Sequence, residues 1–341
     1  MIYLNTDYMA GAHPEVMEAL NKTNMYHTPG YGEDEFTTKA KQLILKKCGI
    51  EDGACFFMVG GTQTNVTVID RILNRNDGVL AADTSHINVH EAGAVEAWGH
   101  KILTLQNHDG KISATQIKEY LEDFYADDTN AHMVRPGMVY ISFPTELGTI
   151  YSRKDLDDIY NVCRQYKLPL FIDGARMAYG LHASGNEMTL SDISSLCDVF
   201  YIGGTKCGTL FGEAIVTKNP VLLPRFISIM KLHGGLLAKG RLLGVQFMTL
   251  FTDDLYDRIG KYGVENALKL KHLLLKKGYT QFIDSPTNQQ FFILPNDVID
   301  RVSKKVSFEL WGPRGKDRSK VRFVTSWSTP EDFIEKLENI L

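Results

Sequence analysis

The chain has 341 residues, 44% of them hydrophobic and 23% charged, with a formal net charge of −4. That length predicts two domains, or one large and one small, and the charge balance gives no reason to expect nucleic acid or an anionic membrane as a partner. No apolar run reaches the roughly 18–20 residues of a membrane-spanning helix, and the opening Met1-Ile2-Tyr3-Leu4-Asn5-Thr6-Asp7 lacks the basic and apolar regions of a signal peptide, so a soluble, cytoplasmic protein is expected.

From residue 54 to about 217 the chain alternates strand-like apolar runs with amphipathic helical stretches. Residues 54–59 read as a strand and 62–73 as the helix after it. Short strands follow at 79–82 and 101–105, then a helix at 114–124 and a strand at 138–143. Helix 154–166 carries Leu156, Ile159, Tyr160 and Cys163 near helical spacing. Strands at 170–173, 198–202 and 213–216 complete the set. This alternation predicts an α/β fold with a mainly parallel sheet covered by helices on both faces. After residue 220 the pattern changes. One long helix is expected over 224–251, interrupted by Gly234-Gly235, and a charged helix near 263–277. Strands at 290–294, 306–310 and 321–324, a turn at 309–319 and a closing helix at 330–340 read as a small α+β domain. The expected division is 1–251 for the N-terminal segment and large domain, and 252–341 for the small one.

Five cysteines, an odd number with no C-x-x-C, indicate neither a disulfide framework nor a zinc site. Cys55, Cys163 and Cys197 read as small buried hydrophobes. Cys207 follows Lys206, and an incidental role is the plainer reading.

Two strand ends carry the chemistry. Leu170-Phe171-Ile172-Asp173-Gly174-Ala175-Arg176 places a carboxylate where a strand gives way to a loop, and Phe200-Tyr201-Ile202-Gly203-Gly204-Thr205-Lys206 does the same for an amine. In parallel α/β sheets ligands collect beyond such carboxyl ends. A lysine and an acid so placed suit pyridoxal 5'-phosphate, which needs an amine for its aldehyde carbon and an acid for its ring nitrogen. Alone, Asp173 also reads as a helix cap or turn former, and Lys206 as a surface amine. Glycines before Lys206 suit a lysine whose neighbours lie close to a flat ring. Arg176 reads either as a partner for the cofactor or substrate, or as a plain salt bridge to Asp173.

Gly60-Gly61-Thr62-Gln63-Thr64-Asn65 follows a strand and opens a helix. It reads as a cradle for one phosphate, with N–H groups at the helix start, or as an ordinary helix start with a Thr cap. It is neither a P-loop nor Gly-x-Gly-x-x-Gly. His86 is the candidate to stack on a pyridine ring, whereas His90 reads as an ordinary, partly buried histidine. Their His-x-x-x-His spacing lacks the Glu of a zincin, so no metal is expected.

Together these motifs resemble the L-threonine aldolases, within the threonine aldolase/β-eliminating lyase family of fold-type I pyridoxal-phosphate enzymes. The resemblance runs over nearly the whole chain: Leu4-Asn5-Thr6-Asp7, Tyr31-Gly32-Glu33-Asp34, Gly61-Thr62-Gln63-Thr64-Asn65, Ser85-His86 through Glu91-Ala92-Gly93, Asp173-Gly174-Ala175-Arg176, the Lys206 loop, and Val321-Arg322-Phe323-Val324-Thr325. It implies a fold-type I, PLP-dependent transferase-like architecture. It also implies that Lys206 forms the Schiff base with the cofactor, Asp173 pairs with the ring nitrogen, and His86 stacks on the ring. Gly61, Thr62 and Gln63 would hold the phosphate, Arg176 would lie beside cofactor and substrate, and Arg322 would clamp the substrate carboxylate. Thr6 and Tyr31 would line the substrate site, Tyr31 from a neighbouring subunit. The family's members are dimers or tetramers with shared active sites, so a homodimer or homotetramer is implied.

Three positions depart from the family's pattern. Asn5-Thr6-Asp7 stands where Arg-Ser-Asp is common. Pro144-Thr145-Glu146-Leu147-Gly148 puts Glu146 where many members carry a histidine facing the substrate hydroxyl. An arginine often reaches the partner's phosphate from the glycine-rich segment, and here Lys239 or Arg241 would replace it. The implied activity is retro-aldol cleavage of a β-hydroxy-α-amino acid, L-threonine or L-allo-threonine, to glycine and an aldehyde. The hydroxyl proton would go to His86, Glu146 or a water between them. β-Elimination or transamination of a small amino acid is the alternative on the same fold.

Overall fold

A computed structural model describes residues 1–341. Strands are numbered in chain order. After β1 (Ile2–Tyr3), the strands β2 (Ala54–Met58), β3 (Asp77–Ala82), β4 (Lys101–Leu105), β5 (Arg135–Ser142), β6 (Leu170–Asp173), β7 (Val199–Gly203) and β8 (Glu213–Thr217) form one seven-stranded sheet in the order β2-β8-β7-β6-β5-β3-β4. Only β8 runs against the others, so the sheet is mainly parallel, as expected. Alternate residues enter two separate cores. Leu80, Val139, Ile141, Leu170, Ile172, Phe200 and Ile202 face one, while Val79, Met138, Tyr140, Phe171, Val199 and Tyr201 face the other. Burial on both faces is why these strands read as unbroken apolar runs.

A second sheet follows from β9 (Thr280–Ile283), β10 (Gln289–Pro295), β12 (Glu309–Leu310) and β13 (Arg318–Val324), all antiparallel, in the order β12-β13-β10-β9. β11 (Val306–Ser307) pairs with β1 in parallel, which ties the N-terminus to this part of the molecule. Ile2 and Leu4 share a core with Leu270, Leu273, Phe292, Val321 and Phe333. Helix Leu255–Lys276 links the two units: Leu255, Ile259 and Val264 pack into the large core, Leu270 and Leu274 into the small one. We propose a division near residue 252 on that packing, with residues 2–4 joining the C-terminal unit.

Several elements differ from expectation, and glycine explains two of the differences. The single helix expected over 224–251 is two, Phe226–Leu232 and Arg241–Leu250. Gly234 between them takes φ +73, and a Cβ on Gly235 would lie 2.5 Å from Met58 Cε. The next helix starts at Leu255 rather than near 263 and runs through Gly260 and Gly263. There a Cβ would meet the Ala178 carbonyl oxygen at 2.3 Å and the Tyr179 ring at 2.5 Å, so both glycines serve close helix packing rather than a break. The strand expected over 306–310 splits into β11 and β12, which belong to different sheets. Helices Pro14–Thr23 and Glu35–Lys47 were not anticipated. Asp34 caps the second, accepting from Thr37 N at 2.8 Å, which gives part of the Tyr31–Asp34 motif a structural purpose.

Candidate active site

Asp173 ends β6, with β5 and β7 on either side. Tyr140 and Tyr201 lie on the same face as Phe171, with ring centres 5.6 and 6.3 Å from it. Their hydroxyls reach the next residue on that face. Tyr140 Oη donates to Asp173 Oδ2 at 2.5 Å and Tyr201 Oη to Oδ1 at 2.6 Å. Asn65 Nδ2 and Ala175 N add donors at 3.0 and 2.9 Å. Burial alone would push this carboxyl up, but nearby His86, the two phenols and the Ala175 N–H outweigh it and hold Asp173 below the usual carboxylate value. The residue is a buried anion ready for a cationic partner. Neither tyrosine was recognised from sequence, because each looks like one more apolar residue of its strand.

Glycines bring Lys206 to the same place. A Cβ on Gly174 would stand 2.0 Å from the Tyr201 carbonyl oxygen, and one on Gly203 2.2 Å from that of Ala175. The loops after β6 and β7 therefore interlock as backbone against backbone. Asp173 and Lys206 both line a cavity of about 520 Å³, together with Tyr8, Gly60, Gly61, His86, Glu146, Arg176 and Arg322. Burial, with Arg176 adding repulsion, lowers the Lys206 amine against the opposite pull of Asp7, Asp173 and Glu213. A lowered value favours the neutral amine, which is the nucleophilic form.

The wall beside Asp173 comes from the loops after β3 and β5. His86 Nδ1 donates to Glu91 Oε1 at 2.7 Å, and the same oxygen accepts from Asn65 Nδ2 at 2.7 Å. A chain of polar contacts thus runs Asp173–Asn65–Glu91–His86. The Glu91 carboxylate fixes the imidazole proton on Nδ1. Glu146 Oε1 accepts from His86 N at 3.0 Å and from Ser142 Oγ at 2.6 Å. Burial, helped by Asp173, raises the Glu146 carboxyl even against these two donors. His90, expected as an ordinary histidine, lines the cavity as well, its ring centre 5.6 Å from that of His86.

Arg176 does not bridge to Asp173. Its Nε and Nη2 donate to Asp7 at 2.7 and 3.0 Å, and Asn288 Nδ2 donates to the same carboxylate at 2.9 Å. Asp7, part of the Asn5-Thr6-Asp7 motif but given no role there, therefore joins the N-terminal segment, the loop after β6 and Asn288 just before β10. From β13, Arg322 Nη1 donates to Gln289 Oε1 at 2.9 Å and Nη2 to Glu309 Oε2. Trp311 lies over the guanidinium at 4.9 Å, and Arg322 Nε is buried with no partner. The orphaned Nε, in a residue lining the cavity, fits a carboxylate ligand.

Helix Gly61–Ile72 has no side-chain cap at its start, and Gly60, Gly61 and Thr62 line the cavity, so its first N–H groups suit a phosphate. The Gln63 side chain points elsewhere, donating to the His233 carbonyl at 3.0 Å. Lys239 is exposed, and the Arg241 guanidinium is engaged by the carbonyls of Thr23 and Tyr26. Tyr31 is 49% exposed, with Lys231 Nζ 4.6 Å over its ring. Neither Tyr31 nor Lys239 lines the cavity of its own chain, and the Thr6 hydroxyl beside Asp7 is buried without a partner.

Comparison with known proteins adds a family. The model described as Beta-eliminating lyase matches residues 4–289. The chain belongs to that family. A low specificity L-threonine aldolase from a Pseudomonas species is 27% identical over 337 residues, covering 97% of this chain and 94% of the relative. Among solved structures, a Leishmania major threonine aldolase has a TM-score of 0.96 at 37% identity, covering 100% of this chain and 98% of that one. A cystalysin from Treponema denticola that contains pyridoxal 5'-phosphate has a TM-score of 0.72 at 16% identity, covering 100% and 91%, which speaks for the fold alone. The fold is that of the fold-type I enzymes.

Proposed function

We propose that this chain is a pyridoxal-phosphate-dependent carbon–carbon lyase that cleaves threonine to glycine and an aldehyde. One observation carries the reading: Lys206, Asp173 and an uncapped helix start share a cavity with two arginines. An amine, an acid and a phosphate cradle fit the three ends of the cofactor, and the arginines fit an amino-acid carboxylate. Threonine aldolase relatives over nearly the full length support the same reaction.

When bound, the cofactor supplies an electron sink for the bond broken at Cα. The remaining roles fall to the protein. Lys206 would hold the cofactor through its amine. Asp173, held below the usual carboxylate value by His86 and its two tyrosines, would keep a proton on the ring nitrogen. His86 would stand beside the ring, and Gly61, Thr62 and the Gln63 N–H would take the phosphate. Arg322, with Arg176 beside it, fixes the carboxylate and so decides which bond at Cα stands ready to break. The β-hydroxyl proton passes to Glu146, to His86, whose Nδ1 is already held by Glu91, or to a water between them. Thr6 and Tyr31 complete the substrate site, and Lys239 reaches the phosphate of a neighbouring subunit. Exposed Tyr31 and Lys239, away from their own cavity, support a homodimer or homotetramer with shared sites. The five free, buried cysteines and the lack of any helix long and apolar enough to cross a membrane accord with a cytoplasmic setting.

Incubation of the purified holoenzyme with L-threonine, L-allo-threonine and L-serine tests the reaction. Aldehyde and glycine in equal amounts from the two threonines are expected. Keto acid without aldehyde would instead establish elimination, the reaction the family description names, or transamination.

A further inference from the structure

Two guanidiniums, Arg176 and Arg322, line one cavity, and each is balanced by a carboxylate. The two carboxylates are not equivalent. The Asp7 side chain is 0% exposed and is also gripped by Asn288. Glu309 is 36% exposed and sits on the two-residue strand β12 at the edge of the small sheet. Asp7 is locked in place, whereas Glu309 reaches solvent from an edge strand.

Arg322 itself is short of partners on one side. Nη1 is engaged by the Gln289 oxygen and Nη2 by Glu309, and Nε has none. A carboxylate binding the fork through Nε and Nη2 would complete the guanidinium, but Glu309 already holds Nη2. We infer that Glu309 is a built-in competitor for the substrate carboxylate: it neutralises Arg322 in the empty site and swings out when the amino acid binds. The inference rests on the proposed role of Arg322 as the carboxylate clamp. Trp311, stacked over the guanidinium, keeps the fork in one plane during the exchange. Glu309 thereby sets affinity without touching the bond that breaks. It also counts against substrates bearing a second carboxylate near Arg322, since that charge would face the departing glutamate.

The test uses the holoenzyme and three variants, Glu309→Gln, Glu309→Ala and Arg322→Lys. Glycine binding is followed through the visible spectrum, acetate through competition with glycine, and threonine through KM and kcat. Removing a half-exposed ion pair should tighten glycine and acetate and lower KM by roughly two- to fivefold, with kcat within about twofold. An unchanged or raised KM in both Glu309 variants would overturn the inference, because a glutamate that merely positions Arg322 must weaken binding when removed. Arg322→Lys separates the two levels. If it raises KM while the Glu309 variants do not lower it, the clamp stands and the competitor falls. If Arg322→Lys leaves glycine binding unchanged, the clamp falls and the inference falls with it.

Discussion

The two ends of the cavity are built on different plans. The Asp173 end lies in the middle of the seven-stranded sheet, where a carboxylate accepts four hydrogen bonds from fixed donors. The Arg322 end lies on the small sheet, near an edge strand, and keeps one buried N–H unpaired. A cofactor that stays bound calls for the first arrangement, since preorganised charge needs no reorganisation during reaction. A substrate that enters and leaves calls for the second. The permanent and transient parts of the site are thus separated by sheet, with Asp7 as the connection between them.

Changes at the rigid end should therefore be the most damaging. Lys206→Ala is expected to abolish the visible absorbance band of the holoenzyme and to lower kcat/KM by about 10³-fold or more. A variant that kept the band would break the comparison at its root. Asp173→Asn should cost about 10²–10³-fold in kcat, because a neutral amide no longer holds the ring-nitrogen proton. Tyr201→Phe removes one donor to that charge and should cost about tenfold. Steady-state kinetics with threonine read all three, and the ordering matters as much as the sizes.

A substitution of backbone fit comes next and reads stability rather than rate. Gly203→Ala sets a Cβ against the Ala175 carbonyl, with 2.2 Å between them. The interlocked loops cannot separate without moving Asp173 or Lys206, so thermal denaturation should show a loss of about 1–3 kcal/mol. Gly234→Ala meets open space at an exposed loop, where only the positive φ opposes it, and should lose about 1 kcal/mol, the low end of the left-handed penalty. Equal losses at the two glycines would show that the loops are not interlocked.

How much of this was legible follows from the same contrast. Asp173 and Lys206 stand out in sequence because each charge follows an apolar run in one and the same parallel sheet, and His86 because an imidazole can stack on a pyridine ring. The parallel sheet was legible because burial on both faces writes itself as continuous apolar strands. The supports were not. Tyr140 and Tyr201 are apolar letters until register sets them beside Asp173. Asp7 and Glu309 act at long range in sequence, on Arg176 and Arg322, and no local pattern marks such pairs. The helix expected near 263–277 starts at Leu255, because close helix packing at Gly260 and Gly263 leaves no mark in one dimension that tells it from a helix end.

Glu213 offers the most specific check on the rigid end. It begins β8 opposite Gly203, and its Oε2 accepts from Gly204 N at 3.0 Å beneath the Lys206 loop. Burial pushes its carboxyl up to about 8, against the pull of Thr205, Lys206 and the Gly204 N–H. A carboxyl raised in the folded state binds its proton more tightly there than in the unfolded chain. Stability therefore falls as pH rises from the ordinary glutamate value of 4.5 towards 8. The Lys206 amine, lowered on folding, has the opposite slope on the alkaline side, so the measurement belongs in a Lys206→Ala background. There the melting temperature should drop between pH 5 and 8, and adding Glu213→Gln should flatten that drop while leaving the value at pH 5 nearly unchanged. A parallel pair of curves would mean that Glu213 stays ionised throughout, its hydrogen-bond donors outweighing its burial.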